Sequence, residues 1–185
     1  MPVITLGVIA DTHIPDRAKA LPLSALDVFS QHRVSAILHA GDLSGRQVLH
    51  ILGEIAPVHA VRGNTDLLLT GRLPRARYVE YGGVTIGIAH GHGSLPRYLR
   101  DKAHLYLLGP KKFSYYESVA RAQVPAAQAV VYGHNHAPAN RLVGDQLVFN
   151  PGSPTNPNRF VASLGPSVGL LHLENGNVRG EIVFI

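Results

Sequence analysis

The sequence predicts an α/β fold in which two β-sheets pack against each other and helices cover their outer faces. The first third of the chain alternates apolar strands with amphipathic helices in the order β-α-β-α-β, which favours right-handed crossovers and a mostly parallel sheet. The later part is rich in strands separated by glycine-containing turns. The chain has 185 residues, and we find no internal repeat or linker in it. We therefore expect a single domain over residues 1–185.

The elements of the first third follow from the spacing of apolar residues. Residues 3–10 form a continuous apolar run, typical of a strand buried on both faces. Residues 23–32 carry apolar side chains at helical spacing and predict the first helix. A strand at 36–40, a helix at 45–55 that ends before Pro57, and a strand at 58–62 complete this part.

The second part begins with strands at residues 76–81 and 84–89, which are expected to pair across Gly82-Gly83. Residues 94–124 combine Lys, Arg and Tyr, and they predict a basic and aromatic helical insert broken near Gly109-Pro110. The remaining strands are predicted at 129–132, 140–143, 146–149, 168–174 and 178–184. The last two should pair across Asn175-Gly176, a strong hairpin signal.

Composition excludes several classes of protein and site. The chain has no cysteine, so disulfides and thiolate metal sites are excluded, and any metal must be bound by nitrogen and oxygen. Its formal charge of +5 is dispersed along the sequence, so nucleic acid is not indicated as a partner. The apolar run at 3–10 is far shorter than the roughly 20 residues that span a bilayer. We expect no membrane partner and, since no targeting signal is visible, a cytoplasmic protein.

Polar side chains follow five predicted strands at the points where those strands end. The segments are Asp11-Thr12-His13, Gly41-Asp42, Gly63-Asn64-Thr65-Asp66, His90-Gly91-His92 and Gly133-His134-Asn135-His136. Ligands of open α/β sheets bind at the ends of strands, so we expect these segments to form one site. Residues i and i+2 of an extended chain point to the same side, which predicts that Asp11 and His13 share one ion. The same rule predicts that His134 and His136 share one ion.

The residue types in these segments favour metal binding. Asp, Asn and His supply oxygen and imidazole donors, which suit Mn, Fe, Zn, Co or Ni. Burying so many polar groups without cations would be costly. Two divalent cations, the carboxylates of Asp11 and Asp42 and one hydroxide would leave a single positive charge, which suits a singly charged phosphodiester.

The five segments, in this order, resemble the motifs of the calcineurin-like metallophosphoesterases. The short chain and the segment Asn150-Pro151-Gly152-Ser153 resemble the small YfcE-like phosphodiesterase branch of that superfamily. The resemblance implies the metallo-dependent phosphatase fold, a four-layer α/β/β/α sandwich of two mixed sheets flanked by helices. It also implies a hydrolase with a binuclear metal centre. Mn²⁺ is the expected ion, with Fe, Ni, Co or Zn as alternatives.

The resemblance also implies roles for individual residues. Asp11, His13 and His136 would bind one metal, Asn64, His90 and His134 the second, and Asp42 would bridge both. The metals would share a hydroxide that attacks phosphorus in line. Asp42, Asn64 and His92 are therefore the candidate catalytic residues. Larger members place a His after the metal-binding Asn, where this chain has Thr65, so either His92 or water would protonate the leaving group.

The expected substrate is a small phosphodiester or a nucleotide-like compound. Two other functions remain open, a non-catalytic scaffold with the same fold, such as the retromer scaffold subunit, and a nuclease acting on polymeric nucleic acid. The complete set of expected ligands disfavours the scaffold. Three interpretations of residues 94–124 remain open: a solvated face, a substrate contact, or a subunit contact in a homo-oligomer.

Three other positions near the segments have expected roles. Asp66 is expected either to orient a ligand or to cap the next segment. His39 is expected to be a sheet residue, and Asn150–Ser153 is expected to be an architectural turn.

Overall fold

A computed structural model describes residues 3–66, 69, 72–109, 111–158 and 164–185. These residues contain ten strands and four helices. The strands are β1 (Ile4–Ile9), β2 (Ala36–His39), β3 (Val58–Ala60), β4 (Ala76–Tyr81), β5 (Val84–Ala89), β6 (Ala129–Val131), β7 (Ala139–Val143), β8 (Gln146–Asn150), β9 (Ser167–Glu174) and β10 (Asn177–Phe184). The helices are α1 (Leu23–Gln31), α2 (Gln47–Gly53), α3 (Leu95–Leu108) and α4 (Phe113–Gln123).

The first sheet has the strand order β10-β9-β1-β2-β3. Strands β1, β2 and β3 are parallel, as the β-α-β-α-β pattern predicts. The C-terminal hairpin β9-β10 then adds to the free edge of β1, and β9 runs antiparallel to it. The expectation of a mostly parallel sheet is therefore wrong, because strands distant in sequence complete the sheet.

The second sheet has the order β4-β5-β6-β8-β7. Its central strands β5, β6 and β8 are parallel, whereas β4 and β7 pair antiparallel to their neighbours in hairpins. Since β1, β2 and β3 are parallel in one sheet and β5 and β6 in the other, the loops that follow these strands can share one edge of the molecule.

The two sheets pack face to face, and the helices cover their outer sides. Apolar side chains between the sheets include Leu6, Leu38, Ile86, Val131 and Phe149, all fully buried. A second cluster lies beneath α1 and α2, and a third joins α4 to the outer side of the second sheet. This arrangement confirms the predicted four-layer α/β/β/α sandwich.

The predicted strand and helix boundaries lie within two residues of the observed ones. The insert at 94–124 contains two helices, as expected, and α3 ends before Gly109, which adopts a φ of 87°. Pro110, the other half of the predicted break, lies outside the described residues. No apolar residue of helix α3 is buried. Within the described part of the chain, no helix is long and apolar enough to cross a bilayer.

Candidate metal centre

The five polar segments meet at one edge of the sandwich and are joined by hydrogen bonds. Within the first sheet, the Asp11 N–H donates to the Gly41 carbonyl (2.9 Å). Between the sheets, the His134 N–H donates to Asp11 Oδ2 (2.9 Å). The Thr65 N–H donates to Asp42 Oδ1 (2.9 Å). The ends of strands from both sheets thus form one continuous site, as the sequence predicts.

The donor atoms fall into two clusters. In the first, which we call cluster A, the ligand atoms of Asp11, His13 and His136 all lie within 4.8 Å of one another. The two imidazole Nε2 atoms are 3.3 Å apart, and Asp11 Oδ1 is 3.6 Å from His136 Nε2. All three residues are at least largely buried, so their donors face each other with little access to bulk water.

The second cluster, cluster B, contains Asn64, His90 and His134. Asn64 Oδ1 lies 3.1 Å from His90 Nε2 and 2.8 Å from His134 Nδ1, and the two ring nitrogens are 3.3 Å apart. The Asp42 carboxylate lies between the clusters, with Oδ2 at 3.6 Å from His13 Nε2 and 3.4 Å from His90 Nε2. Asp42 therefore faces an imidazole of each cluster, and Asp11 Oδ1 does so at longer distances, 3.6 Å from His136 Nε2 and 3.9 Å from His90 Nε2.

The spacing and tautomers of the imidazoles fit divalent metal ions. Two nitrogens that each lie about 2.1 Å from one ion, at tetrahedral or octahedral angles, are roughly 3.0–3.4 Å apart. The observed separation is 3.3 Å in both clusters. Nδ1 of His90 and His136 bonds to the backbone carbonyls of Ala40 (2.8 Å) and Asn156 (2.5 Å). Because carbonyls only accept, Nδ1 of each ring carries a proton, which leaves Nε2 as the atom that a metal ion would bind.

The backbone at the clusters departs from the extended conformation assumed from the sequence. His134 and His136 have φ values of 75° and 55°, and their rings enter different clusters, so the expectation that they share one ion is wrong. Asp11, His13 and Asp42 also have positive φ, between 47° and 56°. Such conformations cost about 1–3 kcal/mol each and are retained where surrounding contacts fix them, commonly at functional sites.

The buried carboxylates and imidazoles strongly perturb one another. Burial raises the pKa of Asp11 to about 6 and lowers the pKa of His13 to about 4. Burial also works against a charged His90, but the carboxylates of Asp42 and Asp11 outweigh it and raise the pKa of His90 to about 9. For Asp42, burial would raise the pKa, yet His90 and the Thr65 N–H hold it well below its usual range. A proton on His90 and a divalent cation thus compete for the same carboxylate environment.

Comparison with known proteins identifies the family. The family model for the calcineurin-like phosphoesterase superfamily domain matches residues 4–176. The chain belongs to the calcineurin-like phosphoesterase superfamily. It is 36% identical over 178 residues to a protein of Methanothermobacter thermautotrophicus named "Probable metallophosphoesterase", covering 96% of this chain and 91% of that protein. This membership confirms the resemblance seen in the sequence and supports metal-dependent phosphoester hydrolysis.

Solved structures with the same fold include both phosphoesterases and Vps29. A predicted phosphoesterase from Streptococcus pneumoniae matches with a TM-score of 0.66 and 25% identity, over 100% of this chain and 91% of that one. Vps29 from Entamoeba histolytica, in complex with Zn²⁺, matches with a TM-score of 0.69 and 27% identity, over 97% and 98% of the two chains. The fold class is therefore confirmed.

His92, the candidate general acid, lies beside cluster B in this phosphoesterase. Its ring centroid is 5.3 Å from that of His90 and 6.4 Å from that of His134. Burial lowers the pKa of His92 to about 3, so the ring is neutral at physiological pH. A neutral imidazole is a weak acid, so the structure gives His92 no advantage over water as the group that protonates the leaving group.

Asp66 supports the loop that carries Asp42. Its buried carboxylate accepts hydrogen bonds from the backbone N–H groups of Asp42 (2.9 Å), Ser44 (2.8 Å) and Gly63 (2.7 Å). Of the two roles open from the sequence, the geometry favours orienting a ligand loop over capping the following segment. In the sequence, the position of Asp66 two residues after Asn64 indicates a role near the site. Its three N–H partners can be identified only from the folded structure.

His39 has a structural role that sequence reasoning missed. It is fully buried in β2, where Nδ1 accepts from the Gly41 N–H (3.2 Å) and Nε2 lies 3.2 Å from Thr12 Oγ1. One neutral ring thus links the Asp11–His13 loop to the Gly41-Asp42 loop, so it is more than a sheet residue. The position of His39 three residues before Asp42 is the feature of the sequence that indicates a role near the site.

The segment Asn150–Ser153 holds the first and last ligand loops together. Asn150 Nδ2 donates to the Gly133 carbonyl (3.1 Å) and Ser153 Oγ donates to the Asp11 carbonyl (2.8 Å). Just beyond it, the Asn156 carbonyl fixes the tautomer of His136. The segment is an architectural turn, as expected, and it supports the edge of the sandwich at which clusters A and B lie.

Two glycines of the ligand loops allow them to approach each other closely. Gly41 has a φ of 94°, and a Cβ there would lie 2.8 Å from His90 Nδ1. A Cβ on Gly133 would lie 2.7 Å from Asp11 Oδ2. Any larger residue at either position would displace a donor of the clusters.

Proposed function

We propose that this protein is a phosphodiesterase that hydrolyses small phosphodiesters with two divalent metal ions. The observation that supports it most is the pair of imidazole contacts, 3.3 Å in each cluster, on either side of the Asp42 carboxylate. Cluster A (Asp11, His13, His136) would hold one ion, cluster B (Asn64, His90, His134) the other, and Asp42 would contact both. The donor set of nitrogen and oxygen accepts Mn²⁺, which we propose as the native ion, and equally Fe, Co, Ni or Zn.

When bound, the ions would supply a hydroxide at neutral pH and withdraw charge from the phosphoryl oxygens. The chain itself supplies the positions of the donors. The Thr65 N–H holds Asp42 Oδ1 at 2.9 Å, which leaves Oδ2 directed at the imidazoles. The site opens onto a cavity of about 500 Å³ that Asp42, Asn64, His134 and His136 border. This volume suits a small substrate.

A diester is favoured over a monoester for two reasons. The position after Asn64 is Thr65, whose hydroxyl does not ionise near neutral pH, so this chain lacks the imidazole that larger relatives place there. In addition, the neutral His92 offers no second positive charge to balance a doubly charged monoester.

The similarity to Vps29 favours one rival, a non-catalytic scaffold with this fold. The arrangement of six donor residues in two clusters on either side of Asp42 argues against it. A nuclease acting on polymers is the other rival, and its binding should weaken steeply with salt.

Hydrolysis assays on metal-stripped protein test the proposal. We expect Mn²⁺ to restore cleavage of bis-p-nitrophenyl phosphate more than of p-nitrophenyl phosphate, and Asp42→Asn to abolish it. Binding of Mn²⁺ without turnover of either ester would support the scaffold instead. Cleavage of single-stranded or duplex DNA with no cleavage of the small diester would support the nuclease.

A further inference from the structure

We propose that the cavity beside the metal centre is a subsite for a flat aromatic ring esterified to the substrate phosphate, as in a nucleoside phosphodiester. The proposal rests on the proposed function, since the phosphate is placed at clusters A and B. It adds the chemical class of the group that the phosphate carries.

The cavity joins the metal-facing edge to the helical insert. Donors of the clusters border one end, and the other end is formed by side chains of α3 and α4. Those side chains are the charged Asp101 and Lys102 together with Tyr98, Leu105, Phe113 and Tyr116. Three of these six are aromatic, and a cavity of about 500 Å³ lies within the range of small-molecule sites. A group attached to a phosphate at the metals would therefore meet aromatic side chains in this cavity.

The aromatic wall begins directly at the donors of cluster B. The Tyr116 ring lies 4.8 Å from the His134 ring, centroid to centroid, with an interplanar angle of 61°. Tyr98 stands edge-on to His92 at 6.2 Å. Phe113 keeps 39% of its surface exposed although it is fully apolar. Aromatic rings pair favourably at centroid distances of about 4.5–7 Å, so a substrate ring between these side chains would find partners on more than one side.

Polar contacts hold the helical insert in this position, because no apolar residue of α3 is buried. Asp101 of α3 accepts from Lys111 Nζ (2.5 Å) and from the Tyr115 hydroxyl (2.8 Å), and its side chain is only 9% exposed. Lys111 also lies 3.7 Å above the Tyr115 ring. These contacts fix α3 against the start of α4 and so keep Tyr98 at the cavity.

The charges of the wall favour an anionic substrate over a neutral aromatic compound. Asp101 is balanced by Lys111, and two further cations, Arg17 and Lys102, border the cavity. Lys102 Nζ lies 5.7 Å from the centre of the Tyr98 ring. A phosphate ester with an aromatic group matches both the positive potential and the aromatic side chains. An aliphatic ester would leave those aromatic side chains exposed to water.

The helical insert also offers a matched control. Tyr106 of α3 is 82% exposed and does not border the cavity, whereas Tyr116 and Phe113 do. Tyr106→Leu therefore removes an aromatic ring from the same insert without altering the proposed subsite.

Equilibrium binding to Mn²⁺-loaded protein tests the proposal independently of turnover. Methyl phosphate, phenyl phosphate and thymidine 5′-monophosphate are all phosphate monoesters and differ in the attached group, which is a methyl group, a phenyl ring and a nucleoside. Stacking on aromatic side chains predicts that calorimetry finds the two ring-bearing esters about 10-fold tighter than methyl phosphate. Tyr116→Leu and Phe113→Leu should each reduce this preference, and Tyr106→Leu should not. Tighter binding of the thymidine ester than of phenyl phosphate would identify a nucleobase, and equal binding would identify any aryl group.

Equal binding of all three esters by the wild-type protein would overturn the subsite. So would loss of the preference in Tyr106→Leu to the same degree as in the cavity variants. Failure of the proposed function gives a different result, namely ring-dependent binding in a protein that hydrolyses no diester. The second cavity variant keeps the test valid if Tyr116→Leu disturbs His134.

Discussion

Replacing Asp66 by Ala should loosen the loop that carries Asp42 and weaken metal binding. The carboxylate is 1% exposed and accepts three backbone N–H groups at 2.7–2.9 Å. A buried donor left without a partner costs about 1–3 kcal/mol, so three of them would cost roughly 3–9 kcal/mol. Burial raises the pKa of Asp66, because burying its charge is itself unfavourable. Removing the buried charge therefore offsets part of the cost of the three unpaired N–H groups. We expect a loss of about 3–5 kcal/mol in the free energy of unfolding.

Urea denaturation of metal-stripped protein measures this loss, and calorimetry with Mn²⁺ measures the affinity. Changes around the residues that orient metal ligands typically reduce affinity about 10- to 100-fold, and we expect a value in that range. Asp145→Ala removes an exposed carboxylate from a hairpin turn and should leave both quantities unchanged. An Asp66→Ala protein within about 1 kcal/mol of wild type, with unaltered Mn²⁺ affinity, would refute the reasoning.

Three further predictions concern residues that support the clusters or the helical insert. His39 is fully buried, and burial lowers its pKa to about 3. As the pH falls from 6.5 towards 3, the unfolded chain therefore takes up a proton that the folded protein does not, and stability decreases. His39→Gln should make the unfolding free energy fall less steeply, by up to about 1.4 kcal/mol per pH unit; equal slopes for the two proteins in urea titrations would contradict this. Gly133→Ala should push on the Asp11 carboxylate and lower Mn²⁺ affinity with little loss of secondary structure, measurable by calorimetry and circular dichroism. Asp101→Asn should weaken the contact between α3 and α4 and increase proteolysis within α3, with Asp145→Asn as a control that leaves the digestion rate unchanged.

The residues of the candidate site could be predicted because their signal is local. Each donor follows directly after an apolar strand, so Asp11, Asp42 and His90 were identifiable from short segments. The type of fold was also predictable, since the β-α-β-α-β start and the later hairpins are separate patterns in the sequence.

The rest depends on long-range geometry. The antiparallel addition of β9 to β1 brings together residues more than 150 positions apart, for which hydrophobic periodicity carries no information. The separation of His134 from His136 depends on left-handed backbone at both residues, whereas the i, i+2 rule assumes an extended chain. The roles of Asp66 and His39 consist of hydrogen bonds to neighbouring loops, and these exist only once the sheets have formed.

If two ions that share Asp42 carry out diester hydrolysis, activity depends on the occupation of both clusters. Metal-stripped protein is titrated with Mn²⁺ while bound metal and hydrolysis of bis-p-nitrophenyl phosphate are measured in the same samples. We expect two ions per chain and activity that rises with the second ion in wild type, and neither behaviour in Asp42→Asn. Two bound ions without hydrolysis, or full activity in Asp42→Asn, would contradict this expectation.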